Sequence, residues 1–133
     1  MKPQTALILV DLEYEWLTKG SDYYAKDLIK AIPNINKLID DSRAKGHKII
    51  FIRHIEKGSK DIFAEDTKRT ELIKELHRKS SDTVITKYKI SPFYQTTLEK
   101  ELAGIKKIII SGILTNLCVR SLAQDAYDRE FEI

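Results

Sequence analysis

The sequence predicts an α/β fold in three layers, with a parallel sheet between two layers of helices. Two observations carry this prediction. Four short apolar runs recur along the chain, at residues 6–10, 48–52, 82–86 and 106–110, and segments with helical spacing separate them. Strands that alternate with helices are typical of a parallel sheet, whose right-handed crossovers place helices on both faces. We therefore expect a Rossmann-like α/β/α arrangement.

The four runs are interpreted as strands from their composition. Three of them are rich in β-branched residues and almost continuously apolar, as in Ala6–Val10 and Lys48–Ile52. A strand that is buried on both faces shows this continuous pattern, whereas a half-exposed strand alternates. The runs are therefore expected to form the buried centre of the fold.

Four segments between the strands have helical spacing. The first has apolar residues three and four apart between Leu28 and Ile39, and it ends at Lys45-Gly46. Pro33 lies inside it and is expected to kink or restart the helix. Shorter helices are predicted over 71–79 and around 93–104. A last helix is predicted over 116–129, with Thr115 or Asn116 as its N-cap.

Composition limits the classes of function. The 133 residues correspond to one domain, residues 1–133. The 23 basic and 20 acidic residues give a net charge of +3 and are interleaved, which argues against nucleic-acid binding. No apolar stretch approaches the ~20 residues of a membrane span, and no signal sequence follows Met1. Cys118 is the only cysteine, so no intrachain disulfide can form. A soluble, cytoplasmic protein is expected.

Chemically reactive residues follow the predicted strands. Asp11 follows the first run, His54 the second and Lys87 the third, while Cys118 lies near the start of the last helix. In parallel sheets the carboxyl ends of the strands meet at one edge, where ligands bind. A helix N-terminus and a neighbouring lysine should lower the pKa of the thiol, and a carboxylate can take its proton. The pattern thus favours a nucleophilic cysteine.

Each of these residues also has an ordinary structural interpretation. A lone cysteine at a helix start is often a small buried hydrophobic residue. Asp11 could cap the segment that follows it, and Lys87 could be a surface lysine. Only their joint placement at the predicted strand ends favours catalysis.

Three blocks of sequence resemble the isochorismatase-like cysteine hydrolase family, which includes nicotinamidases, N-carbamoylsarcosine and ureidoacrylate amidohydrolases and isochorismatases. The first block is Ala-Leu-Ile-Leu-Val-Asp at 6–11, followed by Trp16. The second is Thr-Lys-Tyr-Lys-Ile-Ser-Pro-Phe at 86–93. The third, at 111–120, is Ser-Gly-Ile-Leu-Thr-Asn-Leu-Cys-Val-Arg and is the most specific. The resemblance spans the whole chain.

The resemblance implies a role for each matching residue. Cys118 would be the nucleophile, Asp11 the general base and acid, and Lys87 the group that holds both charges in place. The backbone N–H groups of Leu114 and Cys118 would form an oxyanion hole. The family's cis peptide would join Ile113 and Leu114.

The resemblance also implies a substrate site and a reaction. Trp16 and Phe93 fall where family members place aromatic groups near the substrate, although Trp16 could equally belong to the core. The implied activity is hydrolysis of an amide or ureido C–N bond in a small molecule, through a thioester. No metal or other cofactor is expected, because His54 alone does not reproduce the Asp-x-His pair and further histidines of the metal-binding nicotinamidases.

The chain departs from the family pattern in several places. Glu13 stands where the family usually has Gln, Pro92 where it usually has Ala, and Glu130 where it commonly has Gly. The chain also ends where the family's next strand would begin, so we expect a C-terminally shortened domain with its fourth strand at the edge of the sheet. Three explanations of this exposed apolar edge are open: a partner chain covers it, the chain is a fragment of a longer protein, or the resemblance overstates the activity. A homo-oligomer is expected.

Two other functions are compatible with the sequence. The chain could be a non-catalytic, truncated α/β module that binds a ligand or another protein through the exposed edge of its fourth strand. Alternatively, Cys118 could be a redox-sensing thiol, although no second cysteine is present to resolve a sulfenic acid.

Overall fold

A four-stranded parallel sheet forms the centre of the molecule. The computed structural model describes residues 2–133. The strands are β1 (Thr5–Val10), β2 (Lys48–His54), β3 (Thr83–Lys87) and β4 (Lys107–Gly112), in the order β3-β2-β1-β4. All three strand pairs are parallel. The four predicted runs are thus strands, and β4 is an edge strand of the sheet, as expected.

Helices cover both faces of the sheet and complete the three layers. Helix α1 (Leu28–Ala44) packs on one face, and α2 (Leu98–Glu101) and α3 (Arg120–Asp128) pack on the other. Alternate strand residues face the two layers: Leu7 and Phe51 contact the α1 side, whereas Ile8 and Ile52 contact the α2 and α3 side. The three-layer prediction is therefore confirmed.

Helix α1 runs through Pro33 without interruption, so the expected restart at this residue does not occur. Proline donates no N–H, and the acceptor left without its helical partner is the carbonyl of Ile29. Ile29 is 61% exposed and Pro33 is exposed as well, so this side of the helix faces solvent. The helix therefore tolerates the proline on its outer face.

The segment over 71–79 is not a helix, and this prediction is wrong. Its backbone groups bond partly to each other in turns and partly to neighbouring elements. Ile73 N–H donates to the carbonyl of Leu12 at 3.0 Å. The Asn36 side chain of α1 donates to the Glu75 carbonyl and accepts from the N–H of His77. The apolar spacing of the segment reflects burial against α1 and the loop after β1.

The other two predicted helices are shorter than expected. Between residues 93 and 104 only α2 is helical, because residues 92–97 form turns. The last helix divides into a π-helical turn, Thr115–Val119, and α3. The N-cap residue of the π-helical turn is Leu114 rather than Thr115 or Asn116. No side chain makes a capping hydrogen bond there. The Leu114 carbonyl instead accepts hydrogen bonds from Leu117 and Val119.

The last residues lie beside β4. Glu132 forms a parallel bridge with Lys107, and the N–H of Ile108 donates to the Glu132 carbonyl at 2.7 Å. This short pairing covers the first part of the outer edge of β4. Ile109 and Ile110 farther along the strand are only half-buried.

Candidate active site

Three predicted site residues converge at the carboxyl edge of the sheet. Asp11 follows β1, Lys87 is the last residue of β3, and Cys118 lies in the π-helical turn after β4. Lys87 Nζ is 3.2 Å from Asp11 Oδ2 and 3.5 Å from Cys118 Sγ. The side chains of Lys87 and Asp11 are fully or almost fully buried. The ammonium thus lies between the carboxylate and the sulfur.

The backbone around Asp11 fixes the direction of its carboxylate. Asp11 has a φ of 55°, in the left-handed region that few residues other than glycine, asparagine and aspartate adopt. Its N–H donates to the Ile52 carbonyl at 3.0 Å, and its carbonyl accepts the indole N–H of Trp16 at 2.7 Å. These two bonds hold the residue in a conformation that directs its side chain toward Lys87.

The turn that carries Cys118 depends on close packing against β1. Gly112 has a φ of 132°, and a Cβ atom there would lie 2.3 Å from the Val10 carbonyl oxygen. Only glycine therefore fits at this position. The peptide bond between Ile113 and Leu114 is cis, which is where the resemblance places the family's cis bond. Within residues 2–133 the N–H of Leu114 has no hydrogen-bond partner, so it is free to bind an oxyanion.

The electrostatics of Cys118 differ from the sequence-based expectation. Burial and the negative charge of Asp11 raise the pKa of the thiol to about 11, and the positive charge of Lys87 only partly opposes them. The expectation of a lowered thiol pKa is therefore wrong. The sequence identified the lysine and the helix start, but it did not show how deeply the sulfur and its acidic neighbour are buried.

Two buried carboxyl groups share this environment. Burial raises the pKa of Asp11, against the opposing charges of Lys87 and His54. Burial and the charge of Asp11 raise the pKa of Glu13 to about 9. Glu13 is fully buried and accepts the N–H of His54 at 2.7 Å. At neutral pH Glu13 therefore carries a proton, and Asp11 is the carboxyl group that pairs with Lys87.

A small cavity of about 190 Å³ opens in front of Cys118. Most of its lining is aromatic or aliphatic, and four acidic or basic side chains contribute polar groups besides the thiol. The lining residues are Asp11, Trp16, Tyr23, His54, Glu56, Ile62, Phe63, Tyr88, Lys89, Ile90, Leu114, Leu117 and Cys118. An apolar pocket with a few convergent polar groups is the usual form of a small-molecule site.

The two predicted substrate-binding aromatics have different positions. Trp16 lines the cavity, where its ring meets those of Tyr23 and Phe63 edge-on, with centroids 5.6 and 5.5 Å away. Phe93 is not part of the lining. Its ring is buried in the core beside α3, with the Arg129 guanidinium 4.2 Å from its centroid. Phe93 is therefore a core residue, and its predicted position in the substrate site is corrected.

Sequence reasoning missed most of the cavity wall. Tyr23 and Phe63 come from loops without a recognisable motif, whereas Tyr88 lies in the second block of the family resemblance. Only the fold brings the three together. His54 follows the second predicted strand. Its Nδ1 lies 3.0 Å from Lys87 Nζ and its Nε2 lies 2.8 Å from Glu56 Oε1. Strand register, with His54 beside Lys87, explains the first contact.

Residues 2–133 contain neither a metal-binding cluster nor a membrane-spanning helix. No group of three or more histidine, cysteine, aspartate or glutamate side chains in this part of the chain is arranged to hold a metal ion. Likewise, none of the helices described is both long and apolar enough to cross a membrane.

Comparison with known proteins agrees with the fold. The model of the isochorismatase domain matches residues 5–133. The chain belongs to the isochorismatase family. The expectation of an isochorismatase-like hydrolase is therefore confirmed.

Similar proteins include both curated relatives and solved structures. The isochorismatase family protein YaaI of Bacillus subtilis is 32% identical over 140 residues, covering 99% of this chain and 77% of its own length. A ureidoacrylate amidohydrolase of Serratia proteamaculans is 27% identical over 163 residues, covering 96% of this chain and 66% of its own length. The structure of a cysteine hydrolase from Pseudomonas syringae pv. phaseolicola superposes with a TM-score of 0.87 at 28% identity, covering 96% and 68% of the two chains. This chain thus spans about two thirds of the amidohydrolase and of the cysteine hydrolase.

Proposed function

We propose that this protein hydrolyses an amide or ureido C–N bond in a small molecule, through a thioester on Cys118. The observation that carries the proposal is the position of the Lys87 ammonium, 3.2 Å from Asp11 and 3.5 Å from Cys118, at one end of a small cavity. The similarity to a ureidoacrylate amidohydrolase and to a cysteine hydrolase supports this class of reaction.

In the first half of the reaction, Cys118 attacks the carbonyl carbon of the substrate. The thiol proton passes to Asp11 as the S–C bond forms. The raised pKa of Asp11 makes it a better proton acceptor, whereas the raised pKa of Cys118 opposes a free thiolate, so proton transfer and S–C bond formation occur together. Lys87 stabilises the negative charge throughout the transfer. The backbone N–H groups of Leu114 and Cys118 bind the oxyanion of the tetrahedral intermediate.

In the second half, the C–N bond breaks and Asp11 returns the proton to the departing nitrogen. Ammonia or an amine leaves, and the acyl group remains on the sulfur as a thioester. Water then attacks the thioester while Asp11 takes its proton. Asp11 returns this proton to the sulfur as the S–C bond breaks, which restores both the thiol and the carboxylate. Asp11 therefore acts as base, acid, base and acid in turn.

The cavity limits which molecules can react. Its volume of about 190 Å³ is below the ~300 Å³ at which drug-sized sites begin, so the substrate is a small molecule. The aromatic wall formed by Trp16, Tyr23 and Phe63 suits a flat or unsaturated group, and Lys89 supplies a cation for a substrate carboxylate. Ureido acids and small primary amides combine these features.

Residues 1–133 are proposed to act as one catalytic domain. An apolar core lies on each face of the sheet, and all three proposed catalytic residues are within these residues.

The prediction of a homo-oligomer is supported by the position of β4. This strand lies at the end of the sheet, and its residues Ile109 and Ile110 are only half-buried. Analytical ultracentrifugation of the purified chain tests this assembly, and a monomer at all concentrations would contradict it.

The experiment that tests the proposed function is a hydrolysis screen with ammonia release as the readout. Ureidoacrylate, other small ureido acids and small primary amides are incubated with the protein and with Cys118→Ala, which replaces the thiol by a methyl group. The proposal expects the unaltered protein to release ammonia and the Cys118→Ala variant to release none. Release that the variant retains would remove Cys118 as the nucleophile, and no release from either class would contradict the substrate assignment.

A further inference from the structure

One wall of the cavity comes from the loop between β2 and β3. Phe63 of this loop is 5% exposed and lines the cavity. Its ring centroid lies 5.5 Å from that of Trp16, 5.4 Å from that of Tyr23 and 5.2 Å from that of His54. The ring of Phe63 therefore joins the loop to the other aromatic residues of the cavity.

The backbone of Phe63 has an uncommon conformation. Its φ is 47°, in the left-handed region that phenylalanine rarely adopts. Two hydrogen bonds hold it there: the Phe63 N–H donates to Glu15 Oε1, and the Phe63 carbonyl accepts the N–H of Glu56 at 3.0 Å. The direction of the ring depends on this conformation, because the backbone sets the direction in which the side chain leaves it.

The acceptor of the Phe63 N–H is a buried carboxylate. Glu15 lies in a short 3₁₀ turn after β1, Tyr14–Leu17, and is fully buried. Its second oxygen, Oε2, has no hydrogen-bond partner within residues 2–133 and lies 3.5 Å from Arg69 Nη1. An apolar side chain would fill this position without the cost of burying a carboxylate. The carboxylate adds an acceptor aimed at Phe63 and a negative charge beside Arg69.

We propose that Glu15 is a positioning residue of this site: its side chain holds the backbone of Phe63, and the Phe63 ring thereby keeps its place in the cavity wall. This ring bounds the cavity beside Trp16, where a flat substrate group would lie. The meaning of the inference for catalysis rests on the proposed function, whereas its effect on the cavity is measurable without turnover.

Removal of the acceptor has a definite consequence. The Phe63 N–H would stay buried without a partner, which destabilises the closed loop relative to conformations that expose this group to water. The uncommon φ of Phe63 favours the same change, because a released loop lets the residue return to an ordinary conformation. The ring would then leave the wall, and Trp16, which is 5% exposed, would become accessible from the cavity side.

The ion pair between Arg69 and Asp61 does not replace the contact with Glu15. Both residues belong to the loop itself, and the side chain of Asp61 is 79% exposed. Exposed ion pairs contribute little to stability. Asp61→Asn is therefore a control variant, because it changes the charge of the loop and leaves the contacts of Glu15 in place.

The hydrogen bond is tested by amide hydrogen exchange, followed by NMR in the unaltered protein. Phe63 lies outside the helices and strands, so its N–H has no partner in regular secondary structure. The inference expects this N–H to exchange at least about a hundredfold more slowly than those of the exposed Glu65 and Asp66 in the same loop. Exchange as fast as theirs would overturn the inference, whether or not any variant folds.

The effect on the cavity is tested by acrylamide quenching of fluorescence, which reports Trp16 alone because it is the only tryptophan. Glu15→Gln keeps an oxygen acceptor, whereas Glu15→Leu has a side chain of similar size without one. The inference expects Glu15→Leu to raise the quenching constant about threefold and Glu15→Gln to leave it unchanged. Asp61→Asn should also leave it unchanged. Equal quenching constants in the two Glu15 variants would contradict the inference.

A double variant separates an action through Phe63 from a direct disturbance of the neighbouring Trp16. Phe63→Ala alone should raise the quenching constant, because the ring is then missing from the wall. Addition of Glu15→Leu to Phe63→Ala should raise it no further. A further rise as large as that caused by Glu15→Leu alone would show that Glu15 acts independently of Phe63, against the inference. If these results hold and the hydrolysis screen fails, the proposed function fails while the role of Glu15 in the cavity wall stands.

Discussion

Lys87 Nζ and Asp11 Oδ2 form an ion pair at 3.2 Å in which neither side chain has significant contact with solvent. Removing one partner of such a pair leaves a buried charge uncompensated, whereas removing both charges does not. The pair therefore couples the stability of the fold to the chemistry proposed for the site.

Lys87→Met should lower the free energy of unfolding by about 3–5 kcal/mol, because Asp11 loses its buried counter-charge. The double variant Asp11→Asn with Lys87→Met should recover most of this loss, since no charge then remains unpaired. Urea denaturation of the two single variants and the double variant measures the coupling. Additive losses would show that the two groups do not interact.

Glu13→Gln should make the fold more stable at alkaline pH. The proton of Glu13 is held up to a pH of about 9 in the folded protein, compared with an ordinary carboxyl pKa of 4.5. The stability that this raised pKa confers is fully present below pH 4.5 and is lost as the pH rises toward 9. The loss has a slope of up to about 1.4 kcal/mol per pH unit.

Glutamine has no such proton, so the advantage of Glu13→Gln over the unaltered protein should grow between pH 5 and pH 9. Thermal or urea unfolding across this range measures the difference. The exposed Glu71→Gln is the matched control and should show no trend. A difference that is constant with pH would mean that Glu13 ionises normally.

Gly112→Ala should destabilise the fold by about 3 kcal/mol or more, because its methyl group would meet the backbone of Val10 at 2.3 Å and neither strand can move apart. Gly46→Ala is the control, since Gly46 also has a positive φ but has no atom within 4 Å of its Cβ position. It should lose only about 1–2 kcal/mol. Similar losses in both variants would show that the packing of β4 against β1 is not the cause.

Much of the fold could be predicted because the strands are continuously apolar and end at chemically distinctive residues. Ala6–Val10 and Lys48–Ile52 are strands buried on both faces, and Asp11 follows the first of them. The helix predicted over 71–79 was wrong because its apolar residues have the same spacing when a loop packs them against α1. The side chain of Asn36, which holds that loop, gives no signal in the sequence.

The site could be predicted only in part, for reasons of register and burial. That Lys87 and Cys118 meet follows from the parallel topology, but that His54 lies beside Lys87 follows from strand register, which composition does not determine. Phe93 matches a motif, yet the turns before α2 direct it into the core. The pKa of the thiol depends on how far Asp11 and the sulfur are removed from water, and sequence spacing does not report this.

The central claim is that Cys118, Asp11 and Lys87 form one unit in which the carboxylate receives the thiol proton. The most direct measurement is the pH profile of Cys118 alkylation in the unaltered protein and in Asp11→Asn. The account predicts a midpoint near pH 11 for the unaltered protein and a lower midpoint for Asp11→Asn, because the variant removes the negative charge that raises the pKa of the thiol. A midpoint that is the same in both proteins would contradict the account, since Asp11 would then have no influence on the sulfur.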